Sequence, residues 1–212
     1  MVFYIWNGGI LLGKELEYKL QVENEAALLH ILADGELCSL SVSSWQETKM
    51  KTTYFDASDR RFSSRHWTLR HRQEGDRCIL CIKTPLSEPH IRGEWEIEAD
   101  GLTESNVRKL VEAGAPAELL DLYAKGGVEP LCGAEFLRRH VMLRFSDGSE
   151  AELAGDCGIL HGKEEACALC ELELELYRGA PAEMLALVQR LCKRYNLHEQ
   201  PLSKFARARS LK

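Results

Sequence analysis

An α+β fold built on an antiparallel sheet is predicted by three features of this chain. Residues 14–20, 92–98 and 171–176 alternate charged and apolar side chains with period two, the repeat of a β-strand whose successive side chains point to opposite faces. Ser146-Asp147-Gly148-Ser149 reads as a turn, so 136–155 forms a hairpin. Between the strand-like runs lie a few helical segments, the last with leucine and valine at helical spacing.

In chain order, strands are expected at 14–22, 50–56, 65–72, 77–83, 91–99, 136–146, 150–155 and 168–177. Helices are expected at 24–34, 103–113, 116–124 and 180–195, with a short one opening at Lys204. Asn24, Thr103 and Ser203 stand where N-caps belong. No long low-complexity run, linker or internal repeat divides the chain, and 212 residues at 45% hydrophobic suffice for one larger core. One domain is the simpler reading, over 14–212, with 1–13 as an N-terminal extension. That extension is apolar but too short to span a bilayer, and it lacks the basic start and cleavage site of a signal peptide. No other segment reads as transmembrane, so a cytoplasmic protein without membrane partners is expected.

A net charge of -6 argues against nucleic-acid binding through a generally basic surface. It leaves room for a local cationic site, because 27 Lys and Arg coexist with 33 Asp and Glu. Eight cysteines include two C-x-x-C pairs, Cys78/Cys81 and Cys167/Cys170. Both lie in apolar, strand-like sequence, where residues three apart point to opposite faces. They read as reduced structural thiols and not as zinc ligands. The phosphate-loop, dinucleotide-loop and nucleophile-elbow motifs are all absent. The seven histidines show no metal-ligand spacing, and only His140 has inward parity worth noting. Trp45, Trp67 and Trp95 read as packing residues.

Sorting the strands by parity puts the charges on one face. Glu15, Glu17, Lys19, Arg70, Arg72, Arg77, Lys83, Arg92, Glu94, Glu96, Glu98, Arg138, His140, Arg144, Glu150, Glu152, Asp156, Glu171, Glu173 and Glu175 share it, opposite Leu20, Leu69, Leu80, Ile82, Leu143, Leu153, Leu172 and Leu174. An ordinary sheet with its charged face in water accounts for any one strand. Seven strands with so few neutral polar residues favour closure into a barrel, charges inside and helices outside. Carboxylates aligned across strands repel and need cations, which points to metal and phosphate chemistry.

The same residues resemble the CYTH superfamily, the triphosphate tunnel metalloenzymes. Glu15-x-Glu17-x-Lys19 resembles its ExExK signature. Thr53-Tyr54-Phe55-Asp56, Leu69-Arg70-His71-Arg72, Ile82-Lys83 and Arg92-Gly93-Glu94-Trp95-Glu96 follow in the family's order. Phe136-Leu137-Arg138-Arg139, then Asp147-Gly148-Ser149 with Glu150, Glu152 and Asp156, match the arginine hairpin. Cys170 to Leu176 matches the last acidic strand, and Leu202-Ser203-Lys204-Phe205-Ala206-Arg207 the closing S-K-x-x-R helix. The likeness covers about 13–209 and is similar above all to bacterial inorganic triphosphatases. Members of that subgroup often carry a following CHAD domain; whether this sequence is a stand-alone version or a fragment stays open.

The resemblance implies a closed eight-stranded antiparallel barrel, a tunnel with helices packed outside. It implies a hydrolase that splits tripolyphosphate to pyrophosphate and phosphate. Lys19, Arg70, Arg72, Lys83, Arg92, Arg138 and Lys204 would hold the phosphates, arginine as a fork and lysine as a point charge. Carboxylates cannot bind phosphate directly, so Glu15, Glu17, Glu94, Glu171 and Glu173 would hold Mg²⁺ or Mn²⁺. Glu152 or Asp156 would position the attacking water or its metal. The partner is tripolyphosphate or another triphosphate, in a monomer or a homodimer. Two other functions compete: a nucleotidyl cyclase or organic-triphosphate phosphatase of the same superfamily, and a module that holds polyphosphate without cleaving it. So many inward carboxylates weaken pure anion binding and count against the last.

Overall fold

The computed structural model describes residues 16–85 and 92–211. The expected extension 1–13 lies outside them. Nine strands form one antiparallel sheet: β1 Glu17–Gln21, β2 Gln46–Ala57, β3 Thr68–Glu74, β4 Arg77–Pro85, β5 Arg92–Glu98, β6 Val128–Arg144, β7 Glu150–His161, β8 Ala166–Arg178 and the two-residue β9 His198–Glu199. Their order across the sheet is β5-β4-β3-β2-β6-β7-β8-β1-β9.

Among the described residues the sheet is therefore open, with nine strands, which corrects the closed eight-stranded barrel. Two physical reasons lie at its ends. The outer edge of β1 is already engaged, by β9 at Leu20 and Gln21 and by Gln200 N–H donating to the Lys19 carbonyl at 2.8 Å. The inward faces of the two ends carry Glu17 beside Lys19 on β1 and Glu94 and Glu96 on β5, and like charges among them opposed across strands are destabilising. The sheet nevertheless curls far enough for both ends to line one cavity of about 710 Å³.

Among the described residues six α-helices cover the other face and one end: α1 Glu25–Leu32, α2 Gly35–Leu40, α3 Glu104–Glu112, α4 Glu118–Ala124, α5 Ala182–Tyr195 and α6 Lys204–Ser210. All three expected caps form. The side chains of Asn24, Thr103 and Ser203 accept from the backbone N–H of Ala27, Asn106 and Ala206 at 3.0, 3.2 and 3.1 Å. The helix expected over 24–34 is shorter, because Asp34 caps a separate helix by accepting from Glu36 N at 2.8 Å. Strand β6 starts eight residues earlier than its sequence suggests, at Val128. Pairing with β2 overrides the breakers Pro130 and Gly133, and a register shift at Tyr54/Phe55 passes over Leu131.

Leu20, Val141, Leu153, Leu172 and Leu174 form one core with α1, α2 and α5; Leu69, Leu80, Ile82, Trp67 and Trp95 form another with α3 and α4. The third, with Tyr54, Phe136 and Phe205, seats α6 against β6 and β7. The apolar parity thus faces helices, and the charges face the cavity. Arg77 and Arg144 depart from that pattern, being well exposed and paired with Glu98 and Glu150. All eight cysteines are free thiols, and Cys81 and Cys78 diverge, Cys81 buried and Cys78 half-buried. Among the described residues no helix is long and apolar enough to cross a membrane.

Candidate functional site

The cavity is lined by charged side chains on alternate positions of the strands. On the β3–β5 wall, Arg70 donates to Glu94 at 2.9 Å and to Glu96 at 3.3 Å, and Lys83 lies 2.9 Å from Glu94. Arg72 pairs with Glu74 and, at 3.6 Å, with Glu96. Burial and the neighbouring Glu94 raise the Glu96 carboxyl above its ordinary range. Cys81 has inward parity and donates its thiol to Glu94 at 3.0 Å.

On the opposite wall, Arg138 grips both oxygens of Asp156, through Nε at 2.8 Å and Nη2 at 2.7 Å, and reaches Glu173 at 2.5 Å. Lys204, presented from the first turn of α6, lies 2.8 Å from Asp156 and 2.7 Å from Glu173 and also contacts Glu171. Arg207, one turn on, pairs with Glu171. Burial opposes ionisation of Glu173, but Lys204 and Arg138 outweigh it and hold that carboxyl well below its usual range. Glu171 differs: burial pushes it up to about 7, Glu173 adds to the rise, and Lys204 and Arg207 only partly offset it. The oxygens of Asp156, Glu171 and Glu173 lie within 4.8 Å of one another. The cation among them is the chain's own ammonium.

Among the described residues, a second acidic row has no cation shared by its three members. Glu152, Glu175 and Glu17 are direct cross-strand partners on β7, β8 and β1. Glu17 takes Lys19 at 2.9 Å, and Glu152 takes His140 at 3.2 Å with Arg138 at 3.8 Å. Glu175 makes no hydrogen bond or ion pair among the described residues. Burial, then the Glu17 charge, push its carboxyl up to about 8.

Of the residues expected from sequence, Lys19, Arg70, Arg72, Lys83, Arg138, Lys204, Glu17, Glu94, Glu152 and Glu173 all line the cavity. Asp156 and Glu171 do not; both are fully buried behind its wall. Glu15 and the side chain of Arg92 lie outside the described residues. Sequence reasoning passed over Glu74, because the third strand was ended at residue 72. Parity alone placed Glu175 beside Glu173 on the inward face, and it lines the cavity. Arg139, by contrast, faces outward and ties Glu25 of α1 to Glu47 of β2.

A curled antiparallel sheet thus presents a concave face on which fixed cations and carboxylates share one cavity. The CYTH domain family matches residues 13–208, and the chain belongs to it. An inorganic triphosphatase of Haemophilus influenzae is 26% identical over 184 residues, 84% of this chain and 49% of that protein. The chain thus spans about half the length of the curated relative it matches. A Hippeastrum structure, described as an adenylyl cyclase with a dominant triphosphatase activity, superposes with a TM-score of 0.58 at 21% identity, covering 93% of this chain and 96% of the other. A Bacillus halodurans structure described as an adenylate cyclase reaches a TM-score of 0.53 at 13% identity, over 90% and 94%. At those identities the likeness is one of fold.

Proposed function

We propose that this chain is a divalent-metal-dependent triphosphatase that cleaves inorganic tripolyphosphate to pyrophosphate and phosphate. The observation that carries the reading is the two-signed cavity: six cationic side chains, Lys19, Arg70, Arg72, Lys83, Arg138 and Lys204, facing the same space as the acidic row. The triphosphatase relative supports the direction of the assignment.

Each cation has a distinct task. Arg70, Arg72 and Arg138 offer planar donor forks for phosphate oxygens, and Lys19, Lys83 and Lys204 offer compact charges. Asp156, Glu171 and Arg207 stand behind the wall and hold Arg138 and Lys204 in place, so they are positioning residues. Glu17 and Glu175 fit a hard divalent cation, with Glu15 added by the family resemblance. Their donors are all oxygen, and Glu175, pressed against Glu17, makes no ion pair among the described residues. Mg²⁺ or Mn²⁺ bound there would neutralise substrate charge and acidify a coordinated water. The triad of Asp156, Glu171 and Glu173 fits less well, since Lys204 already fills it.

A substrate panel tests the reading: tripolyphosphate, ATP and thiamine triphosphate, each with Mg²⁺, Mn²⁺ or chelator. Tripolyphosphate is expected to turn over fastest and only with metal. Turnover that persists in chelator sinks the metal-dependent account, and preference for an organic triphosphate sinks the substrate. Glu17→Gln is expected to keep tripolyphosphate binding and to lose turnover.

A further inference from the structure

His140 is the one histidine lining the cavity among the described residues. It lies on β6 two residues beyond Arg138, on the same face. Its Nδ1 is 3.2 Å from Glu152 Oε2, and its side chain is only 23% exposed. No described residue hydrogen-bonds its Nε2. The residue in register on β7 is Ala154, whose methyl leaves the adjacent wall low, and Gln46 of β2 stands on the other side. The charged groups around it are Glu152 from β7, Arg138 from its own strand, and Glu173 and Lys19 further along the same register row on β8 and β1.

Asp156 and Glu173 in this wall are poorly suited to moving a proton. The two oxygens of Asp156 are taken by Arg138 and Lys204, and none of its surface is exposed. Glu173 is clamped by the same two cations. Arginine stays protonated throughout. An imidazole with one nitrogen anchored on a carboxylate and the other free is the arrangement that fixes a tautomer and exposes a basic lone pair.

We propose that His140 accepts the proton of the attacking water and that Glu152 is its positioning residue. This rests on the cavity being a triphosphate site and adds the proton acceptor to it. With Glu152 accepting from Nδ1–H, the neutral ring presents Nε2. As the water oxygen bonds to the terminal phosphorus, its proton passes to Nε2. The bridging P–O bond breaks, and its electron pair leaves on the pyrophosphate oxygen. The imidazolium then returns the proton to pyrophosphate or solvent, so one water is consumed and the ring is regenerated.

The experiment is steady-state hydrolysis of tripolyphosphate with Mg²⁺ and Mn²⁺ across pH, comparing the wild-type chain with His140→Gln and Glu152→Gln. His140→Gln is expected to lower kcat by about 10²–10⁴-fold, the usual worth of general acid–base catalysis, with KM little changed and the acidic limb of the profile lost. Glu152→Gln is expected to lower kcat by less than His140→Gln with KM little changed, because an amide oxygen still accepts from Nδ1–H. Nitrogen NMR of the wild-type ring supplies a readout independent of activity and of any variant's folding. The neutral ring is expected to carry its proton on Nδ1, and a proton on Nε2 overturns the assignment. A wild-type chain inert toward tripolyphosphate with both metals overturns the triphosphatase reading and this inference with it. Wild-type turnover that His140→Gln leaves unchanged in rate and pH profile overturns this inference alone.

Discussion

Replacing Glu175 by glutamine isolates the least compensated charge in the cavity. The Glu175 carboxyl faces Glu17 and Glu152 in register on both sides, and burial with those neighbours pushes its ionisation from 4.5 to about 8. Each tenfold change in an ionisation constant is worth about 1.36 kcal/mol, so the ceiling on its cost is about 5 kcal/mol. Water in the cavity screens the charge and reduces this to about 2 kcal/mol. The sign follows from the protons bound. Between about pH 4.5 and 8 the folded chain holds a proton the unfolded chain has released, so stability falls as pH rises through that window. Glu175→Gln removes the penalty. In chelator, urea unfolding is expected to show no difference near pH 4 and about 2 kcal/mol of added stability for the variant above pH 8. Adding Mn²⁺ is expected to stabilise the wild type and not the variant. A variant no more stable than wild type at pH 8, or equally stabilised by Mn²⁺, refutes the reasoning that this carboxylate is held in reserve for a cation.

Three other perturbations test separate parts of the structure. Lys204→Met strands three buried carboxylates and is expected to lower stability in phosphate-free buffer by about 3 kcal/mol, read as the urea midpoint; an unchanged midpoint shows that the ammonium is dispensable there. Asp34 accepts from Arg194 at 2.5 Å and Tyr195 at 2.6 Å. Against the upward push of burial, those bonds hold its carboxyl at about 2. The contribution of about 2 kcal/mol is then complete above about pH 4 and lost as pH falls through 2, so Asp34→Asn is expected to unfold more easily than wild type at pH 7 but not near pH 2. At Gly158 an added Cβ would stand 2.2 Å from the Glu135 carbonyl oxygen and 2.5 Å from Phe136 Cα. Gly158→Ala is therefore expected to cost about 1–3 kcal/mol and to disturb Phe136 beneath Arg138 and Lys204, measured by thermal melting and by tripolyphosphate affinity.

Period-two alternation was by itself enough to put Glu17, Lys19, Arg70, Arg72, Glu94, Arg138 and Glu173 on a common face, and the leucines between them on the other. That information is local, because a strand's side chains alternate whatever the strand pairs with. The three helix caps were legible for the same reason: each is settled within three residues of chain. Family motifs extended this to the order of the strands. What tertiary structure alone decided depends on neighbours far apart in sequence. Lys204 reaches Asp156, Glu171 and Glu173 only because α6 packs on β6 and β7, and that contact withdrew Asp156 and Glu171 from the cavity while leaving Glu175 facing it. His140 found Glu152 across the β6–β7 hairpin through a register that parity leaves undetermined. The unclosed sheet has the same origin, since whether β5 meets β1 depends on the segment 198–200 reaching the edge first and on the glutamates both ends bring with them. Parity sets the face of a residue, but its depth and its partners are set by strand register and helix docking, which sum over the whole chain.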